Sequence, residues 1–203
     1  MGEGSACLVL ESEAMAMKRG VTNIYGEIIG AAATADAYHV TSLDPAGHPV
    51  QKCMQLALDM GIARTADKDL VRKLGYINAH ATSTDIGDKT ELKAILQTMH
   101  YNLGDVNFKL SGPDQIEGTE IVEDMIQQNL RISGTKSSIG HLLGASGAIE
   151  SALTLKALRT MTAPPTRNLD VADEIVPKYV NLVPHEPQPL QKNTEYAMSN
   201  SFG

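Results

Sequence analysis

The sequence predicts an α/β fold in which helices and strands alternate in layers. Segments typical of strands and segments typical of amphipathic helices follow one another between residues 7 and 201, and this alternation is typical of layered α/β proteins. The chain has 203 residues, of which 42% are hydrophobic, so it can bury one sizeable core. Glycine and proline stand where elements should end, as at Gly20 and Pro164.

The first third of the chain predicts two strands, one helix and a loop. Residues 7–11 are a short apolar run typical of a buried strand, in which Cys7 is expected to act as a small buried hydrophobe. Residues 11–19 place alanine and methionine on one side, which predicts a helix. Residues 23–34 predict a longer strand, and residues 35–48 predict a loop.

The middle of the chain predicts a helix, a strand, a second helix and then an insertion. Residues 50–61 are amphipathic, and Cys53 lies on the apolar stripe of this predicted helix. A β-rich run ends at Asn78, and a helix is predicted for residues 87–100. Residues 104–129 are acidic and rich in turn formers, so we expect a partly ordered surface insertion without chemistry.

The last third predicts a strand, a buried helix and two further strands. Residues 130–133 predict the first strand, and the apolar, small-residue segment after it predicts a helix that runs to about Thr160. Glycines spaced three or four apart predict a bare stripe on this helix, where a neighbouring backbone can lie. These glycines are Gly140, Gly144 and Gly147. Residues 179–183 and 196–201 predict the last two strands.

Composition excludes several classes of function. A net charge of −7 with only 17 lysines and arginines gives no support for nucleic-acid binding. No apolar run approaches the roughly 20 residues of a membrane-spanning helix. Two cysteines are too few for a disulfide framework and favour a reducing compartment. The absence of tryptophan and an aromatic share of 4% argue against a stacking platform for bases or sugars.

The first candidate site follows the predicted strand that ends at Asn78. His80, Thr82 and Thr84 crowd into a polar turn at this strand end, and ligands of open α/β folds collect outside the carboxyl ends of strands. An alternative is a helix N-cap rich in threonine and serine, in which nearby carboxylates interact favourably with the helix dipole. These carboxylates are Asp88 and Glu91. The residues themselves leave both interpretations open.

The second candidate site is the segment from Lys136 to Glu150, which holds a cation, a histidine and a carboxylate. His141 is expected in the first turn of the predicted helix, where the peptide dipoles disfavour a protonated imidazole and suit a neutral hydrogen-bond donor. A histidine at a helix start also serves as a capping or packing residue. On this segment alone, the capping or packing role of His141 stays open.

Several motifs in one order resemble a known family. They are NAHATST, GDKTE, TKSSIGHLLGASGAIES, PPTRNLD, VPHEP and a final NSFG. Together they resemble the C-terminal half of β-ketoacyl-[acyl-carrier-protein] synthases, with the nearest likeness to the elongating type II enzymes that use one cysteine and two histidines. The likeness runs from residue 2 to residue 203 apart from the insertion.

This resemblance implies a thiolase-like layered fold, of which residues 1–203 form the C-terminal half of a duplicated α-β-α-β-α architecture, truncated at both ends. It implies fatty acid elongation by decarboxylative Claisen condensation: malonyl-[acyl-carrier-protein] reacts with an acyl-enzyme thioester to give 3-oxoacyl-[acyl-carrier-protein]. It implies acyl carrier protein as the partner, a homodimer in the full-length protein, and no cofactor.

The resemblance also assigns roles to residues. His80 and His141 donate hydrogen bonds to the malonyl thioester carbonyl during decarboxylation, which forms an oxyanion hole for the enolate. Lys136 and Glu150 match the helper cation and carboxylate of the family. Further residues match the hydroxyls that bind phosphopantetheine and a phenylalanine near the acyl site. These are Thr82, Thr84 and Phe202. Some relatives hold a structural monovalent cation near Asn78, Glu150, Ser199 and Asn200.

Three rival functions remain. The first is a non-catalytic fragment or a carrier-protein-binding partner, because the family's nucleophilic cysteine belongs to the other half and neither Cys7 nor Cys53 has a nucleophile setting. We therefore expect residues 1–203 alone to be inactive. The second is a degradative thiolase or another thiolase-like acyltransferase. Thiolysis is disfavoured because a thiolase normally uses one histidine and a late cysteine, and neither cysteine of this chain has a nucleophile setting. The third is a metal site that includes His80 and His141, disfavoured because their sequence separation offers no short ligand pair.

The residues that depart from the bacterial pattern predict a location. Ala81 stands where bacterial members commonly have glycine, and residues 104–129 are an insertion relative to them. Together these features favour a eukaryotic organelle form, so a mitochondrial enzyme is expected, with the bacterial cytoplasm or a plastid as alternatives.

Overall fold

A three-stranded parallel sheet lies at the centre of the fold. The computed structural model describes residues 1–40, 42–110 and 116–202. The sheet consists of β1 (Leu74–Asn78), β4 (Arg131–Ser133) and β7 (Tyr196–Ser199) in the order β4-β1-β7. All five residues of β1 are buried. Because the strands are parallel, their carboxyl ends meet at one edge of the sheet, which is where ligands of such folds bind.

Helices and short ladders surround this sheet. The helices are α1 (Glu13–Lys18), α2 (His48–Thr65), α3 (Asp85–Asn102), α4 (Glu120–Asn129), α5 (Lys136–Ile139) and α6 (Ser146–Thr160). Two short 3₁₀ turns span Leu70–Lys73 and Leu143–Ala145. The antiparallel ladders pair β2 (Lys109–Leu110) with β3 (Ile116–Glu117), and β5 (Thr162–Ala163) with β6 (Gln188–Pro189).

The sheet is covered on both faces, as the predicted α/β class requires. Side chains alternate along a strand, and Tyr76 and Ile77 of β1 belong to two different apolar clusters. Ile77 packs in the larger cluster, to which α2, α3 and α4 contribute, whereas Tyr76 packs with Ala157 of α6. The layered fold predicted from the alternating elements is therefore confirmed.

Two predicted strands in the first third of the chain are wrong. Residues 7–11 and 23–34 carry no strand in the structure, because a strand is maintained by hydrogen bonds to a neighbour and neither segment pairs with one within the described residues. Leu8, Val9 and Leu10 are exposed accordingly.

The strand predicted for residues 179–183 is also wrong. Val183 is fully buried but has a φ of 51°, outside the extended region that a ladder requires. The segment therefore follows an irregular path, and its neighbourhood contributes only an isolated bridge between Thr166 and Pro184 within the described residues.

The predicted small-residue helix is broken in two. The structure places α5 and α6 on either side of a loop and a 3₁₀ turn, so no glycine stripe runs along one helix. Gly140 has a φ of 78°, and a Cβ there would lie 3.0 Å from the Cα of Gly2, so glycine is required for both conformation and packing. A Cβ on Gly147 would lie 2.9 Å from Ser201 Oγ, whereas one on Gly144 would meet no atom within 4 Å.

Part of the predicted insertion belongs to the core. Residues 104–129 include α4, whose Val122 and Ile126 are 5% and 2% exposed and pack in the larger apolar cluster. The surface description is therefore wrong for this helix, in which apolar residues four apart face the sheet layer. Residues 111–115 lie outside the described part of the chain, and the predicted extent of the insertion stays a prediction.

A buried polar cluster anchors the insertion. The ring of His100 is fully buried, with Nδ1 2.8 Å from Asp105 Oδ2 and Nε2 3.2 Å from the Tyr179 hydroxyl. These partners fit a neutral imidazole that donates from Nδ1 and accepts at Nε2. Burial lowers the pKa of His100. Burial acts to raise the pKa of Asp105, but hydrogen bonds from the Thr119 amide, His100 and the Asn107 amide outweigh it and lower that pKa to about 2.

Asp105→Asn should lower the free energy of unfolding at pH 7 by about 1–3 kcal/mol, since the buried His100 loses a charged partner. The wild-type contribution of Asp105 is complete above its ordinary pKa of 3.8 and is lost as the pH falls towards 2. Urea unfolding at several pH values measures both effects. Asp124→Asn on the exposed face of α4 is the control, and equal stability of the two variants would contradict the anchoring role.

Candidate active site

The loop that carries His80 leaves the carboxyl end of β1 and turns into α3. Two of its residues lie in the left-handed region, Ala81 with a φ of 39° and Ser83 with a φ of 63°. This conformation costs a residue with a side chain about 1–2 kcal/mol. The strained residues Ala81 and Ser83 therefore belong to the same loop that positions the His80 imidazole.

Ala81→Gly should raise the free energy of unfolding by up to about 1 kcal/mol, because glycine adopts positive φ without the steric cost but loses more backbone entropy on folding. Thermal unfolding measures the change. Ala172→Gly serves as control, since Ala172 is exposed and does not have a positive φ. A loss of stability in Ala81→Gly equal to that of the control would show that the loop is not strained.

Glu91 holds this loop from beneath, a role that the sequence interpretation missed. Its carboxylate accepts hydrogen bonds from the backbone amides of His80 at 2.8 Å and Ala81 at 2.9 Å, and from the side-chain amide of Asn200 at 3.2 Å. Glu91 is 3% exposed, and burial raises its pKa while these hydrogen bonds oppose the rise. Glu91 therefore fixes the backbone of the His80 loop from a buried position, and it is not a surface charge that interacts with the helix dipole. The available signal was its position in α3, four residues before the buried Ile95.

His141 lies in the loop between α5 and the following 3₁₀ turn, not in a helix as predicted. Its Nδ1 accepts a hydrogen bond from the Leu143 amide at 3.2 Å and lies 3.0 Å from Ser146 Oγ. That hydroxyl accepts from the Leu142 amide, so its own proton is directed to Nδ1. Both contacts assign the ring proton to Nε2, which leaves His141 Nε2–H as a hydrogen-bond donor.

A buried ion pair connects the two candidate segments. Lys136 Nζ lies 2.5 Å from Glu150 Oε1 and donates a second hydrogen bond to the backbone oxygen of His80. Their side chains are 5% and 0% exposed. Burial raises the pKa of Glu150, and Lys136 opposes the rise. The pair therefore fixes α5, α6 and the end of β1 relative to one another.

The structure places His80, His141 and Phe202 next to one another. The ring centroids of His80 and His141 are 5.7 Å apart with perpendicular planes, and the Phe202 ring lies 5.4 Å from His80. Burial, the charge of Lys136 and the nearby His141 lower the pKa of His80 to about 4. His80 is therefore neutral at pH 7. Its Nδ1 is buried without a hydrogen-bond partner within the described residues.

The two predicted threonines also meet. Thr82 Oγ1 and Thr84 Oγ1 are 3.2 Å apart at the start of α3. The intervening Ser83 has positive φ, so the hydroxyls converge through a turn instead of the extended segment that the sequence suggested. Neither the substrate role nor the helix-capping role is decided by this contact, although Thr84 makes no side-chain capping hydrogen bond.

Three of the four predicted cation-site residues, Asn78, Ser199 and Asn200, lie at the ends of β1 and β7, and the fourth, Glu150, lies on α6. Asn78 pairs in register with Ser199, and the Asn200 amide donates to the Asn78 carbonyl. Glu150 Oε2 is buried without a hydrogen-bond partner within the described residues, which fits a cation. The Asn78 side chain instead bonds to Thr135, and Asn200 to Glu91. The monovalent cation stays a prediction, and the described residues contain no cluster of three histidine, cysteine or acidic residues suited to a metal.

The cysteines occupy ordinary positions. Cys7 is exposed, so the expectation that it is buried is wrong, because the segment around it forms no strand. Cys53 is half-buried on α2, and its thiol donates to the Ala32 carbonyl at 3.3 Å. In the part of the chain that the structure describes, no helix has the length and apolar character needed to cross a membrane.

Solved structures identify the class of protein that this fold and site define. The chain superimposes over 98% of its length, with a TM-score of 0.73 and 27% identity, on 40% of the ishigamide ketosynthase/chain length factor. A β-ketoacyl synthase from Burkholderia phymatum matches 95% of the chain with a TM-score of 0.70 and 30% identity, over 38% of its own length. The class is thus that of ketosynthases with a thiolase-like fold, as the resemblance implied.

The chain belongs to the family of the β-ketoacyl synthase C-terminal domain, which matches residues 25–106 and 113–170. Curated relatives are 3-oxoacyl-[acyl-carrier-protein] synthase 2 from Coxiella burnetii, 40% identical, and from Rhizobium meliloti, 38% identical. Both matches cover the whole chain and 41% and 40% of the relative. The chain therefore spans about 40% of the length of these relatives, which confirms the predicted likeness to a C-terminal half.

The predicted mitochondrial location is wrong. The relatives that are 37–40% identical to this chain come from Coxiella burnetii, Rhizobium meliloti and Staphylococcus aureus, which are bacteria. Ala81 and the segment 104–129 are therefore not marks of an organelle enzyme. Residues 120–129 form a packed helix, whereas the positive φ of Ala81 gives no structural reason for an alanine at this position.

Proposed function

We propose that this chain provides the malonyl-binding and decarboxylating part of a 3-oxoacyl-[acyl-carrier-protein] synthase that elongates fatty acids. The observation that carries the proposal is the perpendicular pair of His80 and His141, with ring centroids 5.7 Å apart, in the loops that follow β1 and α5. The names of the relatives support the same activity. The proposed enzyme is an acyltransferase that needs no cofactor.

Two imidazole N–H groups stabilise the negative charge that develops on a thioester oxygen. When malonyl thioester loses carbon dioxide, the electron pair of the broken C–C bond forms an enolate, and donors aimed at its oxygen lower the barrier. His141 Nε2–H is one donor, and His80 in its neutral form is the other. The carbanion then attacks the acyl thioester on a cysteine, which forms a C–C bond and releases the thiolate.

Lys136 and Glu150 act through the position of His80. Lys136 Nζ donates to the His80 backbone oxygen, while Glu91 accepts from the His80 amide. The backbone of this histidine is thus held from both sides. The lysine charge also disfavours a protonated imidazole, which keeps His80 in the neutral state over the working pH range.

The partner of this site is acyl carrier protein. The adjoining hydroxyls of Thr82 and Thr84 suit the amides of a phosphopantetheine arm, and Phe202 beside His80 suits the acyl portion. One solved ketosynthase of the same fold, with a TM-score of 0.66 and 24% identity, is in complex with an acyl carrier protein. The homodimer of the full-length protein and the domain extent 1–203 stay predictions.

Carbon dioxide release from malonyl-[acyl-carrier-protein] by the full-length protein tests the proposal. We expect release to accompany formation of 3-oxoacyl-[acyl-carrier-protein] when an acyl donor is present. Coenzyme A-dependent cleavage of 3-oxoacyl thioesters without condensation would instead indicate a degradative thiolase. Binding of the carrier protein without carbon dioxide release would indicate a non-catalytic partner, and either result would overturn the proposal.

A further inference from the structure

A cavity of about 340 Å³ lies between the first half of α3 and the loop of residues 169–182. Its walls are mainly aliphatic and come from the sheet, the helix and the loop. Wall residues include Leu92, Ile95, Ile132, Ile175, Val176 and Leu182. This volume is within the range of small-molecule sites. It holds about ten non-hydrogen atoms if each takes the roughly 30 Å³ of a water molecule.

This cavity adjoins the proposed active site but lies outside the space between the two histidines. Of the proposed site residues, Thr84 lines the cavity, whereas His80, His141, Thr82 and Phe202, which are all within the described part of the chain, do not. It lies on the other side of the His80 loop, where Ala81 and the buried Glu91 form part of its wall. A molecule bound there would contact the residues that position the loop, without entering the space between the histidines.

Charged side chains surround the mouth of the cavity with an excess of negative charge. Lys89 spans the mouth, with its ammonium 2.9 Å from Asp85 and 3.3 Å from Asp173 on the opposite loop. Asp88 adds a third carboxylate to the lining. Lys89 pairs with Asp85 and Asp173, while Asp88 Oδ1 accepts a hydrogen bond from the Ser83 amide at 3.1 Å. The lining thus carries three carboxylates and one ammonium near this mouth, so a cationic group is attracted to it and a carboxylate is repelled.

We propose that this cavity is a binding site for a small aliphatic amine, with its chain among the apolar wall residues and its ammonium among the carboxylates of Asp85, Asp88 and Asp173. Apolar burial provides the attraction for the chain, and the charge excess selects the head group. The site shares Thr84 with the proposed phosphopantetheine contacts, and its occupant also contacts the Ala81 end of the His80 loop.

Calorimetric titration of the protein with octylamine and with octanoate at neutral pH tests the proposal. We expect saturable binding of octylamine about ten-fold tighter than that of octanoate, since each extra charge pair at a partly exposed mouth contributes a few-fold. On saturation, the NMR methyl signals of Ile95 and Ile175 should shift, which separates binding in the cavity from adsorption elsewhere. Absence of saturation, or equal affinity for the two probes, overturns the proposal.

Variants distinguish contacts with the alkyl chain of the amine from contacts with its ammonium. Val176→Trp fills the cavity and should abolish octylamine binding, whereas Ile121→Trp introduces the same side chain at an exposed position of α4 and should leave binding unchanged. Leu169→Trp on the same loop provides a second filled variant if the first fails to fold. Asp173→Asn retains the Oδ1 that accepts from the Ile175 amide but removes the charge, and should reduce the preference for octylamine several-fold. Unchanged octylamine binding in a folded filled variant overturns the site.

Discussion

Lys136→Met should lower the free energy of unfolding by about 3–5 kcal/mol, because removal of one partner of a buried ion pair leaves the other charge uncompensated. Here the remaining group is Glu150, which is fully buried and has a second carboxylate oxygen without a hydrogen-bond partner within the described residues. Loss of the ammonium also frees the backbone oxygen of His80. Urea unfolding at pH 7 measures the effect.

Two comparisons make this result specific to the ion pair. Lys156→Met on the exposed side of α6 should change stability by no more than about 0.5 kcal/mol. Glu150→Leu combined with Lys136→Met should recover much of the lost stability, since two apolar groups replace a broken pair. If the double variant is as unstable as the sum of the two single variants, the two side chains are not coupled and the role of the pair is wrong.

Lys136 and Glu150 meet in the candidate site although the continuous helix predicted for this segment is wrong. The sequence suggested one continuous helix that carries both His141 and Glu150. The structure instead divides the segment at Gly140, which adopts a conformation that a helix excludes. Lys136 and Glu150 nevertheless meet because α5 and α6 both start close to the carboxyl end of β1. The residue types of this segment predicted its chemistry. They did not predict its backbone path, which depends on the close approach of Gly140 to Gly2.

The central elements could be predicted because their signals are local. β1 is a short apolar run, and α2 buries residues at helical spacing, so both elements follow from local patterns. The segments at 7–11 and 23–34 have equally strong apolar patterns but no strand in the structure. A strand depends on its neighbour, and the pattern of one segment does not reveal whether a neighbour pairs with it.

Local sequence signals also predicted part of the candidate site. His80 and His141 stand in motifs, and each follows a strand or a helix that the sequence indicates. Glu91 was missed because a glutamate in the first half of a helix is usually exposed, and only the fold directs this one beneath the loop. The contact of His100 with Tyr179 joins residues 79 positions apart, a distance at which no spacing rule applies.

His80→Ala in the full-length protein should lower the rate of carbon dioxide release from malonyl-[acyl-carrier-protein] on the order of 10²–10³-fold, the usual cost of one oxyanion donor. Because the lost hydrogen bond forms only as charge develops on the thioester oxygen, kcat and kcat/KM should fall together. Steady-state measurement of carbon dioxide release at pH 7 tests both parts. The fold should tolerate the change, since the buried Nδ1 of His80 makes no hydrogen bond within the described residues.

His48→Ala provides the control for this variant, since His48 is exposed at the start of α2 and contributes nothing to the site. Its rate should equal that of the wild type. Thermal unfolding of both variants separates lost catalysis from lost structure. A folded His80→Ala protein that releases carbon dioxide at more than about a tenth of the wild-type rate would show that the two imidazoles do not share the enolate oxygen, because loss of a well-aimed donor costs at least about 10²-fold.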